Sequence, residues 1–343
     1  MRFVMIKDPH FKFGFTNAIR KNYEKDLTLK LDQLVGYMKE NNINTLAIPG
    51  DIFDESYSNR WKFTYFQYNV MILMKYFMNN NIKILAIPGN HDYFDGYEDI
   101  CMTKGLVKLS TVYGMMCRLN IIENVCDDVS CFANKFKIID NTIFTGVKYM
   151  SDLNKVREKL SIINNYKTDN GQKLVVMLHQ NVTPKSVNHI TEFTYEELAK
   201  SYPNVDVFLL GHYHIGYEPM KIGNTWFINP YNFTRVNREY EVRIDKHIPQ
   251  FVDINITDDG IDVKQIDLKV RSFEDAFVDE YKSFVILSKE SIKNDDIKIN
   301  LDTDDTFNMS DSEIIQTVAE KYGLNDNETI NYVMDVMNNL KNE

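Results

Sequence analysis

Residues 45–51 read TLAIPGD and residues 83–92 read KILAIPGNHD. Each is a short apolar run that stops in a glycine followed by a carboxylate or amide, the pattern of a buried strand ending in a turn. The near repetition of LAIPG predicts two adjacent strands delivering loops to one edge of a sheet. Between them, residues 61–80 predict a helix, and residues 24–41 place Leu27, Leu31, Leu34, Val35 and Met38 at helical spacing. With RFVMI as an opening strand, the first 90 residues alternate strand and helix, which predicts a parallel or mixed sheet covered by helices. Ligands of such sheets gather outside the carboxyl ends of the strands, where these loops fall.

Further along, KFKIID and TIFTGV are β-rich and are followed by a polar helical stretch. KLVVMLHQN and VDVFLLGHYH are apolar runs that end in histidine. TWFIN, EYEVRID, QFVDINIT and IDVKQIDL alternate like strands of a second sheet layer, completing a two-sheet sandwich or beginning a cap. The expected fold is α/β, an α+β sandwich of two mixed sheets flanked by helices. The expected domain covers residues 1–270, with 235–287 as a small cap. Residues 288–310 are polar and acidic and read as a linker. Residues 311–343 read as a helical hairpin: Ser310 with Glu313 and Asn325 with Glu328 have capping-box spacing, and Ile314, Ile315 and Val318, then Ile330, Val333, Met334 and Met337, form apolar stripes. So small a hairpin cannot bury both stripes by itself, so it docks either on its own domain or on a partner.

Composition narrows the classes. With 343 residues, 44% of them hydrophobic, the chain can bury a sizeable core. No segment is a signal peptide or an uninterrupted apolar span, so a soluble intracellular protein is expected. Cys101, Cys117, Cys126 and Cys131 lack C-x-x-C spacing and read as thiols of a reducing compartment. A net charge of −10 speaks mildly against nucleic-acid binding through the whole surface, although carboxylates around divalent metals inflate that sum.

Five segments at strand ends bring oxygen and imidazole ligands: Asp8-Pro-His10, Gly50-Asp51-Ile-Phe-Asp54, Gly89-Asn90-His91-Asp92, His179, and Gly211-His212-Tyr-His214. Carboxylate, amide and imidazole together suit borderline and harder divalent ions, and the absence of thiolates argues against a structural zinc site. Glycine before Asp51, Asn90 and His212 is read as allowing a sharp backbone turn. Singly, His179 or Asp8 would more often be a satisfied buried polar group; five such segments in order are not coincidence. His189 and His247 lack such context and read as ordinary loop histidines.

The order D-x-H, G-D-x-x-D, G-N-H-D, H, G-H-x-H resembles the calcineurin-like metallophosphoesterase superfamily over roughly residues 1 to 230. The resemblance implies a metallophosphoesterase fold and two divalent ions, manganese foremost with magnesium, iron and zinc as alternatives. Asp8, His10 and His214 would hold the first ion, Asn90, His179 and His212 the second, and Asp51 would bridge them. His91 would remain free of metal as the acid catalyst. Asp92 would either orient His91 or serve as a structural carboxylate.

The family includes phosphatases, small phosphodiesterases and nucleases. The phosphoprotein phosphatases carry Arg-Gly after the second motif, whereas this chain reads GDIFDES, similar to SbcD-type DNA double-strand-break repair nucleases and their bacteriophage counterparts. The downstream loop of those nucleases reads close to P-G-S followed by arginine; here Asn229-Pro-Tyr-Asn-Phe-Thr-Arg235 keeps the proline and the arginine but not the Gly-Ser. Asp54 stands where some members have histidine. That resemblance implies DNA as substrate, an SbcC-type coiled-coil ATPase as partner, a homodimer, and a bacterial or phage-infected cytoplasm. The chain has no G-x-x-x-x-G-K-[ST] loop, so ATP hydrolysis would belong to another subunit. Lys7, Lys12, Arg20, Lys21, Arg60, Lys62, Arg235, Arg238 and Arg243 gather near the site loops, with Lys12, Arg60 and Arg235 as candidate DNA contacts. Phe11, Phe13 and Phe15 could stack on unpaired bases. Two alternatives stay open: an enzyme acting on a small phosphodiester or phosphomonoester, and a non-catalytic module that binds DNA ends or an ATPase.

Overall fold

The computed structural model describes residues 1–11, 23–53, 60–92, 111–126, 136–166, 171–187, 190–234, 248–272 and 275, with backbone alone at 24, 60–68 and 118. The chain divides into Met1–Ile286 and Leu287–Glu343. The linker and helical hairpin expected in the second unit lie outside the described residues, as do His189 and His247.

The first sheet begins with β1 (Arg2–Met5), α1 (Tyr23–Glu40), β2 (Thr45–Pro49), α2 (Arg60–Asn79), β3 (Lys83–Ile87), α3 (Val112–Arg118) and β4 (Ile122–Asn124). β1, β2, β3 and β4 run parallel in that order. The LAIPG repeat does lie on neighbouring strands, but its two copies are offset by one residue: Leu46 faces Ile84, Ala47 faces Leu85 and Ile48 faces Ala86. Because side chains alternate faces along a strand, this offset sends the copies in opposite directions. Leu46 and Ile48 pack toward the helices, whereas Leu85 and Ile87 pack toward the other sheet. The helical stripe of α1 behaves as its spacing predicts, with Leu27, Leu31, Leu34, Val35 and Met38 all buried.

The second sheet contains β5 (Lys137–Ile139), β6 (Thr142–Val147), β7 (Lys173–Gln180), β10 (Val207–His212), β11 (Met220–Ile222) and β12 (Thr225–Ile228), in the order β11-β12-β10-β7-β6-β5. Its outer face is covered by α4 (Leu153–Asn164) and α5 (Tyr195–Ser201), which bury Val156, Leu160, Ile163, Tyr195 and Leu198. β8 (Val182–Thr183) and β9 (Phe193–Thr194) form a small separate pair.

The late strands do not form a layer of their own. TWFI is β12 and joins β10, whereas β13 (Gln250–Ile256) pairs antiparallel with β1 and β14 (Ile261–Asp267) antiparallel with β13, at one edge of the first sheet. EYEVRID lies outside the described residues. Alternation alone shows which side of a strand is buried but not which sheet the strand joins, and this is why the sequence reading put them together. Between the sheets, Phe3, Met5, Leu85, Ile87, Phe144, Val175, Met177, Val207, Leu209, Val252 and Ile254 form a continuous core. Each such side chain contributes about 1.5–3 kcal/mol on burial. Among the described residues no helix is long and apolar enough to cross a membrane. Cys117 and Cys126 are thiols, and the other two cysteines lie outside the described residues.

Candidate metal centre

β1, β2 and β3 of one sheet and β7 and β10 of the other end at a common edge, and the five ligand segments meet there. His179 and Gly211 are register partners on β7 and β10. The loop after β1 pairs with the loop after β2, with His10 N donating to Asp51 O at 3.0 Å and Phe11 N to Ile52 O at 2.8 Å. Lys7, wholly buried, donates from Nζ to Tyr213 O at 2.8 Å and to Asn229 Oδ1 at 2.7 Å. The Asn229–Thr234 stretch returns this support, with Phe233 N on Lys7 O and Thr234 Oγ1 on Pro9 O.

Backbone strain concentrates here. Asp8, His10, Asp51 and His212 have φ values of 39°, 42°, 47° and 82°, in the left-handed region that side chains with a Cβ rarely adopt. Among the described residues, the other non-glycine residues of this kind are asparagines and an aspartate in turns. The three glycines serve two different purposes. Gly50 has φ 103° and provides the turn the sequence reading expected. Gly89 and Gly211 have no such φ, and they are required for clearance. A Cβ on Gly89 would lie 2.1 Å from Asp51 Oδ1, and one on Gly211 would lie 2.2 Å from Pro49 O.

All seven expected ligands converge. His10 Nε2 is 3.2 Å from His214 Nε2 and 3.6 Å from Asp51 Oδ2, and His214 Nε2 is 3.9 Å from Asp8 Oδ2. On the other side of Asp51, His179 Nε2 is 3.2 Å from Oδ2 and 3.3 Å from Asn90 Oδ1. His10, Asp51 and His91 form one group whose ligand atoms all lie within 4.8 Å of one another, and Asp51, His179 and His212 form another. Asp51 stands in both groups, where a bridging carboxylate would stand.

The electrostatics suit a cation. Asp8 Oδ1 is buried and has no hydrogen-bond partner among the described residues, and burial, offset only in part by His179, pushes the Asp8 carboxyl up to about 7. Burial would raise Asp51 too, but His179, His10 and His91 outweigh it and hold Asp51 well below its usual range. Burial would lower His179, but Asp51 and Asp8 outweigh it and push this imidazole up to about 9. A divalent ion satisfies the same carboxylates without a proton, so its binding would release protons. The donor set, oxygen and imidazole without thiolate, fits borderline divalent ions.

Asp92 is wholly buried, and its two oxygens accept from Gly89 N at 2.8 Å, Phe53 N at 2.9 Å and Ile52 N at 3.2 Å. Of the two roles open to it, these bonds favour the structural one: Asp92 ties the loops after β2 and β3 together. Burial pushes this carboxyl up to about 7, with Asp51 adding to the effect and the three amides opposing it. His91 is half-buried, with its backbone N on Asp51 Oδ1 at 2.9 Å.

Two of the residues read as favouring nucleic acid turn out otherwise. Lys7 is an internal tie, and Phe11 is fully buried against Phe53 and Phe233, so neither can meet DNA. Lys12 and Arg235 lie outside the described residues, as do Asp54, Phe13, Phe15, Arg20, Lys21, Arg238 and Arg243. The backbone of Arg60 opens α2, and its side chain, like that of Lys62, lies outside the description.

The calcineurin-like phosphoesterase family model matches residues 1–216, the span that carries every ligand. The chain belongs to the calcineurin-like phosphoesterase family. This phosphoesterase is therefore a metal-dependent hydrolase of phosphoesters, with a two-metal centre of the family type. Among solved structures it is similar to a dimetal phosphatase from Danio rerio (12% identity, 79% of this chain and 99% of that chain, TM-score 0.40). It is also similar to the calcineurin-like phosphoesterase YfkN from Bacillus subtilis (11% identity, 85% and 96% covered, TM-score 0.44). No curated protein matches the chain.

The sequence reading passed over Tyr149, whose ring lies 4.8 Å from that of His212. In the sequence Tyr149 carries no ligand motif, and only the fold sets it at the same sheet edge as His212.

Proposed function

We propose that this phosphoesterase is a DNA nuclease subunit that cuts phosphodiester bonds at DNA ends and works with a coiled-coil ATPase. The observation that carries the reading is the GDIFD segment at residues 50–54, which lacks the Arg-Gly of phosphoprotein phosphatases and leads from a complete ligand set. Asp8, His10 and His214 would hold one ion, Asn90, His179 and His212 the other, with Asp51 between them and manganese as the preferred metal. Bound there, two divalent cations offset the phosphate's charge and lower the pKa of water. His91, half-buried beside Asn90, gives the leaving alkoxide its proton at neutral pH. Asp92 keeps the Asn90–His91 loop against the Asp51 loop. The Asn229–Thr234 stretch packs against the Asp8 loop and leads directly to Arg235.

The same reading includes a homodimer and a bacterial cytoplasm, possibly that of a phage-infected host. In support of a dimer, α2 exposes Met71, Ile72 and Met78 at 51%, 51% and 53%, an apolar face that a second copy would cover. An enzyme acting on a small phosphodiester or phosphomonoester is the second reading, favoured by the burial of Lys7 and Phe11. The test incubates the purified chain with labelled hairpin and blunt duplex DNA and with a chromogenic diester, in manganese, magnesium or chelator, with and without the ATPase. DNA cleavage that requires metal supports the first reading. Diester turnover with intact DNA under every condition supports the second.

A further inference from the structure

We infer that Tyr149 is a positioning residue for the cation held by Asp51, His179 and His212. The inference rests on the two-metal reading. His212 is the half-buried member of that group, so the side chains packed against its ring bear on how firmly the ring is held. One side of the ring meets His179, with centroids 5.1 Å apart. The Tyr149 ring lies 4.8 Å from it at a tilt of 38°, and stands 6.5 Å from His179, nearly edge-on. The three ring centroids form a triangle, so Tyr149 and His179 both pack against the His212 imidazole.

Tyr149 is itself anchored. Val147 pairs with Leu178 in the β6–β7 register, which extended by two residues sets Tyr149 level with Gln180, the register partner of His212. Gln180 is wholly buried and donates from Nε2 to Met150 O at 2.9 Å, locking the residue after Tyr149 to the residue after His179. Groups that orient a ligand without touching the metal affect its affinity through geometry. The rings that meet His212 here are those of Tyr149 and His179, neither of them among Asp8, His10 and His214, the proposed ligands of the other ion, so the effect is expected on one cation of the two.

The test is a Mn²⁺ titration of the full chain, followed by calorimetry and electron paramagnetic resonance, for wild type, Tyr149→Ala and Tyr149→Phe, with circular dichroism as the check on folding. We expect Tyr149→Ala to weaken one equivalent about tenfold while the other holds, and Tyr149→Phe, which keeps the ring, to restore both. Should Tyr149→Ala not fold, Tyr149→Leu keeps apolar volume without the ring plane and carries the same expectation. Two equivalents bound with unchanged affinity by a folded ring-deleted variant overturn the inference. A loss in Tyr149→Phe equal to that in Tyr149→Ala also overturns it, because the effect would then belong to the hydroxyl. A wild-type chain that takes up no Mn²⁺ overturns the metal reading itself, a distinct failure visible before any variant is made.

Discussion

His179 Nδ1 lies 2.7 Å from the carbonyl oxygen of Pro49, so a histidine on β7 is fastened to the end of β2 in the opposite sheet. With Nδ1–H donated to a carbonyl, Nε2 faces Asp51 and Asn90 as the ligand nitrogen. His179→Ala should lose one equivalent of bound Mn²⁺ and lower phosphoester turnover by at least about 10²-fold. Metal analysis by mass spectrometry beside a diesterase assay checks this; full occupancy of both sites in the variant would contradict it.

Gly89 is a site of clearance. A Cβ there would meet Asp51 Oδ1 at 2.1 Å and Asp51 N at 2.4 Å, so backbone as well as side chain would have to move. Displacement of a site group by about 1 Å costs on the order of 10² in rate. Gly89→Ala should show that loss, whereas Gly223→Ala, with open space around the Cβ, should keep wild-type kcat despite its backbone strain.

His91 stands within 4.8 Å of His10 and Asp51, yet the proposed function gives it a proton to donate. His91→Ala should lower kcat about 10²–10⁴-fold while both Mn²⁺ equivalents remain. Loss of an equivalent would make His91 a ligand, and unchanged cleavage would remove it from the chemistry.

Removing the Asp92 carboxylate leaves three buried N–H groups without their acceptor. Asp92→Ala should cost about 3 kcal/mol or more in urea unfolding, with activity falling in step with loop order. A variant as stable as wild type would show that the tie is dispensable.

Away from the site, Asp253 accepts from Arg2 Nε at 3.0 Å and Nη2 at 2.6 Å and from Tyr37 OH at 2.7 Å. Burial would raise its pKa, but these bonds outweigh it and hold the folded value below that of the unfolded chain. Its contribution is therefore complete above about pH 4 and is lost as pH falls through the folded pKa. Since Arg2 is partly exposed, about 1 kcal/mol is at stake. Asp253→Asn should lower Tm slightly at pH 7 and flatten the acid decline below pH 4; parallel Tm–pH curves for the two proteins would refute this.

The strand ends and their ligands were legible because each ligand sits in a short segment whose glycine and apolar run are local signals. Lys7 and Phe11 were misread for a physical reason. A lysine and a phenylalanine flanking Asp8 carry no local mark of burial, and their surroundings come from distant residues: Phe53 for Phe11, and Tyr213, Asn229 and Phe233 more than 200 residues away. The placement of β13 and β14 was hidden in the same way, because pairing with β1 is a long-range choice among apolar strands of similar pattern. Tyr149 went unseen since a lone tyrosine after a strand has no signature until its neighbour His212 is in place.

β1, which leads into Asp8, pairs on one side with β2 and on the other with β13, from Arg2 against Asn255 to Met5 against Val252. On a ribosome the strand that carries the first ligand therefore waits for a partner some 250 residues later, an interval on the order of tens of seconds at ordinary elongation rates. Throughout that interval one edge of a buried strand is open, and for most of it His179, His212 and His214 have not all been synthesised. A half-made chain thus has no complete metal-binding set, and the strand that closes the sheet is made only after the last histidine.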